Sequence, residues 1–181
     1  MIRFTSKIHR KLSELGLREC GSASVEFAIV FPFFVGVFIS AFDVAMMNIR
    51  AVLVERATDI AVREIRLSSG SVLDYDKVVE QICSNTIVIP DCKNSLKIEL
   101  QPVQANNWRG LQNRPDCIIR KEKIQPDARF ENGQENQMML MRVCAVVDPF
   151  FPGIGVGRKI PKDESGGYQL IATTAFVNEP K

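Results

Sequence analysis

The sequence predicts an α+β fold: a long N-terminal helix, membrane-spanning in its first half and amphipathic in its second, then a short second helix and a small antiparallel sheet of about three or four strands. Three observations carry this. From Phe27 to Phe42 there are 16 consecutive uncharged residues, at the lower edge of the roughly 17–25 that cross a bilayer. Beyond Asp43, apolar residues continue at helical spacing among charges of both signs. After Leu67 the pattern changes to short segments of alternating or β-branched residues separated by Pro, Gly and Asn, which is the signature of strands and turns.

The chain has 181 residues, enough for an anchor and one modest domain. Its net charge of +2 is unevenly placed. Residues 1–21 hold five Lys/Arg against two Glu, a local charge of +3, which leaves −1 for residues 22–181. A basic flank ahead of an apolar helix is held in the cytoplasm, so the C-terminal body is expected on the far side of the membrane. Without a basic excess, that body offers nothing to nucleic acid.

The division expected is therefore a leader at 1–21, a membrane helix at 22–42, its amphipathic continuation at 43–67 and an exported domain at 68–181. Met46, Ile49, Leu53, Ala57, Ile60 and Leu67 recur at steps of three, four or seven, and this stripe is expected to meet the domain or else a partner helix. One rod over 22–67 would be roughly 69 Å long at 1.5 Å per residue. Pro32 lies inside the apolar run, where it removes a backbone donor and is expected to kink or loosen the helix.

Ser68, Ser69, Gly70 and Ser71 end the rod with turn chemistry. A second helix is expected from about Tyr75 to Asn85, started by Asp74 or Ser71 and carrying Val78, Val79 and Ile82 inward. A hinge follows at Pro90. In the segment at 95–103, Leu96, Ile98 and Leu100 alternate with Lys97, Glu99 and Gln101, which reads as a strand of a sheet with one wet face. Trp108, isolated in a polar stretch, is expected to lid a small core. The segments at 137–151 and 167–179 read as two further strands, with a Pro- and Gly-rich loop at 148–167 between them.

Four cysteines follow the leader: Cys83, Cys92, Cys117 and Cys144. Zinc suits them poorly, because they are separated by eight, 24 and 26 residues with no CxxC knuckle and no histidine after His9. An even number in an exported body points to disulfides. Of the three connectivities, Cys83–Cys92 with Cys117–Cys144 is expected, the first closing a loop around Pro90 and the second pinning the polar segment at 117–124 to the strongest strand. His9 is the single histidine, so histidine-based active sites are excluded, and no nucleophile, base and orienting group occur together. The GIGVG run at 153–157 lacks the lysine and hydroxyl of a phosphate loop. No enzyme activity, metal or cofactor is expected.

Glu26 is the one charge at the head of the apolar run, and a carboxylate at the edge of hydrocarbon requires a partner or a purpose. Gly21, with Glu26 as the fifth residue after it and Phe27 next, resembles the processing site of type IV prepilins and pseudopilins. More specifically, GSASVEFAIVFPFFVGVF at 21–38 resembles the N-terminal signature of TadE/TadF-like pseudopilins of tight adherence pilus systems, and the closing AFVNEP at 175–180 is similar to TadE-like tails.

The resemblance implies a pilin-like fold, cleavage by a prepilin peptidase between Gly21 and Ser22, and pairing of Glu26 with the N-terminal amine of a neighbouring subunit. It implies a single-pass protein of the bacterial inner membrane, with its N-terminus cytoplasmic and its domain periplasmic. Its partners would be other pseudopilins and pilus assembly proteins, its role pilus assembly and surface adhesion. A body of this size argues against the repeating fibre subunit and for a minor component. The rival readings are a membrane-anchored periplasmic binding or adhesion domain, which would not need Gly21 and Glu26 in register, and an ordinary secretory signal cleaved near Ala41.

Overall fold

A computed structural model of the protein describes residues 22–67, 73–104, 114–122, 125 and 128–180. The expected leader, the turn at 68–71 and the proposed lid residue Trp108 lie outside these. Helix α1 runs over Ser22–Leu67, 46 residues without interruption, as the apolar run and its amphipathic continuation require. Helix α2, Tyr75–Asn85, starts at Asp74, whose extended backbone lets its carboxylate accept the N–H of Asp76 at 3.2 Å, satisfying a donor the first turn would leave open. Val78, Val79 and Ile82 form its buried face, as expected. At its far end the Thr86 hydroxyl donates to the carbonyl of Ile82.

Between Pro90 and the first strand the sequence indicates a hinge and no helix. The structure inserts one helical turn, α3 (Cys92–Ser95), entered through Asp91 in the left-handed region at φ 48°. The Asn94 Nδ2 amide donates to both carboxylate oxygens of Asp91, at 2.9 and 3.1 Å.

Three strands follow, β1 (Leu96–Pro102), β2 (Met138–Val147) and β3 (Tyr168–Val177), antiparallel in the order β1-β2-β3. The register stacks Ile98, Val143 and Ala172 in one row across the sheet. These three face the helices, together with Leu96, Leu100, Met141, Ala145 and Leu170. The outer half of α1 contributes Val54, Ala57, Ala61, Val62 and Ile65 to the same core, and α2 contributes its three buried residues. Each large apolar side chain buried there stabilises the domain by about 1.5–3 kcal/mol relative to exposure.

Two expectations are corrected. The sheet has no wet face along β1: Lys97 and Glu99 are 4% and 8% exposed. In register beside them on β2 lie Cys144 and Arg142. The Arg142 Nη2 sits 2.7 Å from Glu99, and Cys144 is joined to Cys117, which brings the segment at 114–122 onto this face. The buried Glu99 and Arg142 are thus paired, as burial demands. Helix α1, in turn, buries a different stripe from the one read off its large apolar residues. Of those, Ala57 is buried, while Ile49, Ile60 and Leu67 remain exposed. The contact face is Arg50, Val54, Ala57, Ala61 and Ile65, because the sheet lies close against the helix where two alanines leave room for it.

Candidate functional site

The first half of α1 carries the features singled out by sequence. Helical spacing cannot bury it: Phe27, Ile29, Phe33, Phe34 and Phe38 are all at least 64% exposed, and they point in different directions around the helix. The segment is long and apolar enough to cross a membrane, and none of its most apolar stretch is buried within the protein. Glu26 lies one turn inside the helix on this exposed surface, next to the stacked rings of Phe27 and Phe31, 4.9 Å apart. Ser22 is the first described residue, and Gly21 lies outside the described residues. The helix continues through Pro32.

Where the apolar half meets the domain, the structure builds a junction that the sequence reading did not find. Asp43 is 2% exposed; its Oδ1 accepts the N–H of Phe151 at 3.4 Å, while its Oδ2 has no hydrogen-bond partner. Two turns on, Arg50 is 5% exposed. Its Nη1 donates to the carbonyl of Asp148 at 2.8 Å and to the Tyr168 hydroxyl at 3.2 Å. Its guanidinium also covers the Phe150 ring at 4.5 Å, a contact that gains strength as it is desolvated.

The loop at 148–167 is thereby held to the helix, and its own ends are tied by charge. Arg120 grips Asp148 through both nitrogens, at 2.7 and 2.9 Å, and donates from Nε to Ser165. The hydrogen bond from Arg120 holds the Asp148 carboxyl below the usual carboxylate range. Asp163 is also held low: burial opposes this, but donors from Ser165 and Gly167 outweigh it. Gly157 packs so closely that an added Cβ would collide with the Phe151 carbonyl and the Asp43 carboxylate. Asp43 and Arg50 are seven residues apart on the helical face that also carries Val54 and Ala57, and that periodicity was the available signal.

The four cysteines come together as the pairs expected, Cys83 with Cys92 and Cys117 with Cys144, at Cα separations of 5.7 and 5.4 Å. Among the described residues no three His, Cys, Asp or Glu side chains are grouped to hold a metal. Apart from Asp43 Oδ2 and Arg50 Nε, which have no hydrogen-bond partner, the polar groups named at the junction hydrogen-bond within it, so what the site offers is an apolar helix, a carboxylate near its start and a junction that holds the loop to the helix where it enters the domain.

Residues 21–63 match the family of TadE-like proteins. The TadE-like match begins at the glycine singled out in the sequence, takes in Glu26 and the whole exposed half of α1, and ends four residues before the helix does. It covers about a quarter of the chain, the same quarter that carries the resemblance. No curated protein and no solved structure matches the chain.

Proposed function

We propose that the chain is a minor pseudopilin of a tight-adherence type pilus or secretion machine. It is made with the leader at 1–21, cleaved by a prepilin peptidase after Gly21, and takes part in pilus assembly and surface adhesion. Residues 22–42 anchor it in the inner membrane, with the leader cytoplasmic and the domain periplasmic. The observation that supports this reading is that the stretch similar to TadE-like proteins begins at Gly21 and takes in the whole helix half that the domain leaves bare, before running on into the half that is core.

In this reading Ser22 becomes the new N-terminus and Glu26 pairs with the amine of a neighbouring subunit. At about 4 Å such a pair is worth ~4 kcal/mol at an effective dielectric of 20, against ~1 kcal/mol in water. The outward stripe of Ile49, Val52, Ile60 and Leu67, exposed along the outer half of α1, supplies apolar surface for the helices of other pseudopilins. The domain sets the chain apart from a short, repeating pilin.

Intact mass and N-terminal peptide analysis of the mature protein test the processing step. A start at Ser22 is expected, whereas a start near Phe42 would establish a secretory signal and sink the pilin reading. Glu26→Ala is expected to insert and fold normally, with the domain's unfolding midpoint unchanged, yet fail to assemble with its partner pilins. Normal pili from that variant would refute the charge pairing.

A further inference from the structure

The loop at 149–162, PFFPGIGVGRKIPK, presses against α1 at the last turn of its apolar half. Phe150 and Phe151 meet Phe42 edge to face at 5.6 and 6.2 Å. Gly155, at φ +59°, lies directly over Ser40, and Val156 joins Val37, Ser40, Ala41 and Val44 in lining an apolar groove. Ser40 precedes Asp43 by three residues, about 4.5 Å along the axis. If the bilayer covers the helix up to Asp43, the loop tip cannot stay in water: it sits at the depth, about 5–10 Å, at which amphipathic segments lie in a membrane interface.

Its surface chemistry matches that depth. Phe150, Phe151 and Ile154 are 47%, 37% and 54% exposed, on a loop whose backbone is fixed by Asp43, Arg50 and the Lys162 ammonium, which donates to the Pro152 carbonyl at 2.8 Å. Arg158 and Lys159 follow immediately and are exposed. The loop contains no carboxylate between residues 149 and 162. Apolar side chains at the tip with cations just above them are what an anionic phospholipid surface accepts.

We propose that this loop is a second membrane contact, with Phe150, Phe151 and Ile154 entering the acyl boundary of the leaflet on the domain's side and Arg158 and Lys159 meeting lipid phosphates. The inference rests on residues 22–42 being the membrane anchor. It gives the domain two points of attachment, helix and loop, so that the body is seated on the bilayer in one orientation. Leaving the membrane for an assembly then requires the loop to withdraw with the helix.

The test uses the full chain with Trp108→Phe, reconstituted in bilayers of mixed zwitterionic and anionic phospholipid. Ile154→Trp reports on the loop, Phe151→Trp repeats the measurement at a conservative aromatic position, and Phe33→Trp reports on the anchor. Lipids brominated high or low on the acyl chain, and aqueous acrylamide, serve as quenchers. The loop tryptophans are expected to emit at shorter wavelength than in water, to be quenched most by the high-brominated lipid, and to resist acrylamide. Phe33→Trp should be quenched most by the low-brominated lipid.

Loop tryptophans open to acrylamide and untouched by bromine, with Phe33→Trp quenched, would overturn the loop contact and leave the anchor standing. Loop tryptophans shielded from both quenchers would place the loop against a second copy of the chain, which also overturns it. Failure of bromine to quench Phe33→Trp would remove the anchor and the inference together.

Discussion

In the first half of α1, Ile29 is 71% exposed and Phe33 74%; in the second half, Val54 is 1% exposed and Ile65 5%. The two halves are one unbroken helix and both contain large apolar side chains, so neither helix propensity nor hydrophobicity separates them. What separates them is the reach of the rest of the chain. A ten-residue strand such as β2 extends about 33 Å, and the outer half of α1, residues 43–67, about 38 Å. The domain has enough sheet to cover one half of the rod and not both. Burial here is a property of what is available to pack, and the uncovered half must find its apolar surroundings elsewhere, which in this reading is lipid and neighbouring subunits.

The sharpest way to break this comparison is to make the same truncation on both halves. Ile65→Ala removes three side-chain carbons from under the sheet and is expected to destabilise the domain by about 2–5 kcal/mol, the range for such a deletion in a core. Ile29→Ala should stay within about 0.5 kcal/mol, as surface changes do. Denaturant unfolding of the full chain in detergent reads both. A comparable loss from Ile29→Ala would mean that the first half folds against the domain, contrary to the division drawn here.

A second set of variants asks whether the two halves lie on different sides of the membrane boundary, with the domain in an oxidising compartment. Non-reduced peptide mapping of the exported protein is expected to find Cys83 linked to Cys92 and Cys117 to Cys144, and free thiols would contradict export. Loop-closure entropy ranks the bridges. A sequence separation of 27 against 9 makes the second worth about 3.6 kcal/mol and the first about 2.6. Cys117→Ala should therefore lower the midpoint more than Cys92→Ala, and it should also loosen the segment that covers Lys97 and Glu99.

Much of this was legible in the sequence, because periodicity is a local property. The 3.6-residue repeat marked α1 and α2, a two-residue alternation marked β1, β-rich composition marked β2 and β3, and the spacing from Gly21 to Glu26 stood out before any fold was known. The contact face of α1 was not legible, since close approach of a sheet selects small residues: Ala57 and Ala61 matter there more than Ile49 and Ile60. The covered polar face was missed because its burial depends on a partner 27 residues away from Cys144 in sequence. The junction was hidden for a related reason. Phe150 and Phe151 follow β2 so directly that they read as its continuation, and their true neighbours, Phe42 and Arg50, lie about a hundred positions earlier. Nothing local in the sequence distinguishes an arginine that faces water from one that closes over a ring.

The smallest expected effect concerns the charges that tie the junction loop at its ends. Asp148 and Asp163 both titrate below the ordinary 3.8, the first because Arg120 bonds to it and the second because Ser165 and Gly167 donate to it more than burial opposes it. A carboxyl lowered by folding contributes stability that is complete above its unfolded value and is lost as the pH falls through the folded one. The loop should therefore be indifferent to pH from neutrality down to about 5, and loosen only below about 4. The Asp148 side chain is 63% exposed, so screening limits its pair with Arg120 to about 0–1 kcal/mol, too little to unfold the domain. The amide resonance of Gly167, which donates to Asp163 Oδ1 at 2.9 Å, is a direct reporter. In an NMR titration it should move in a single acid step, and in Arg120→Gln, which removes a cation facing both carboxylates, that step should shift toward higher pH. A step near neutrality, or one that Arg120→Gln leaves in place, would show that the loop's ends are held by packing and that its charges are incidental to the seat.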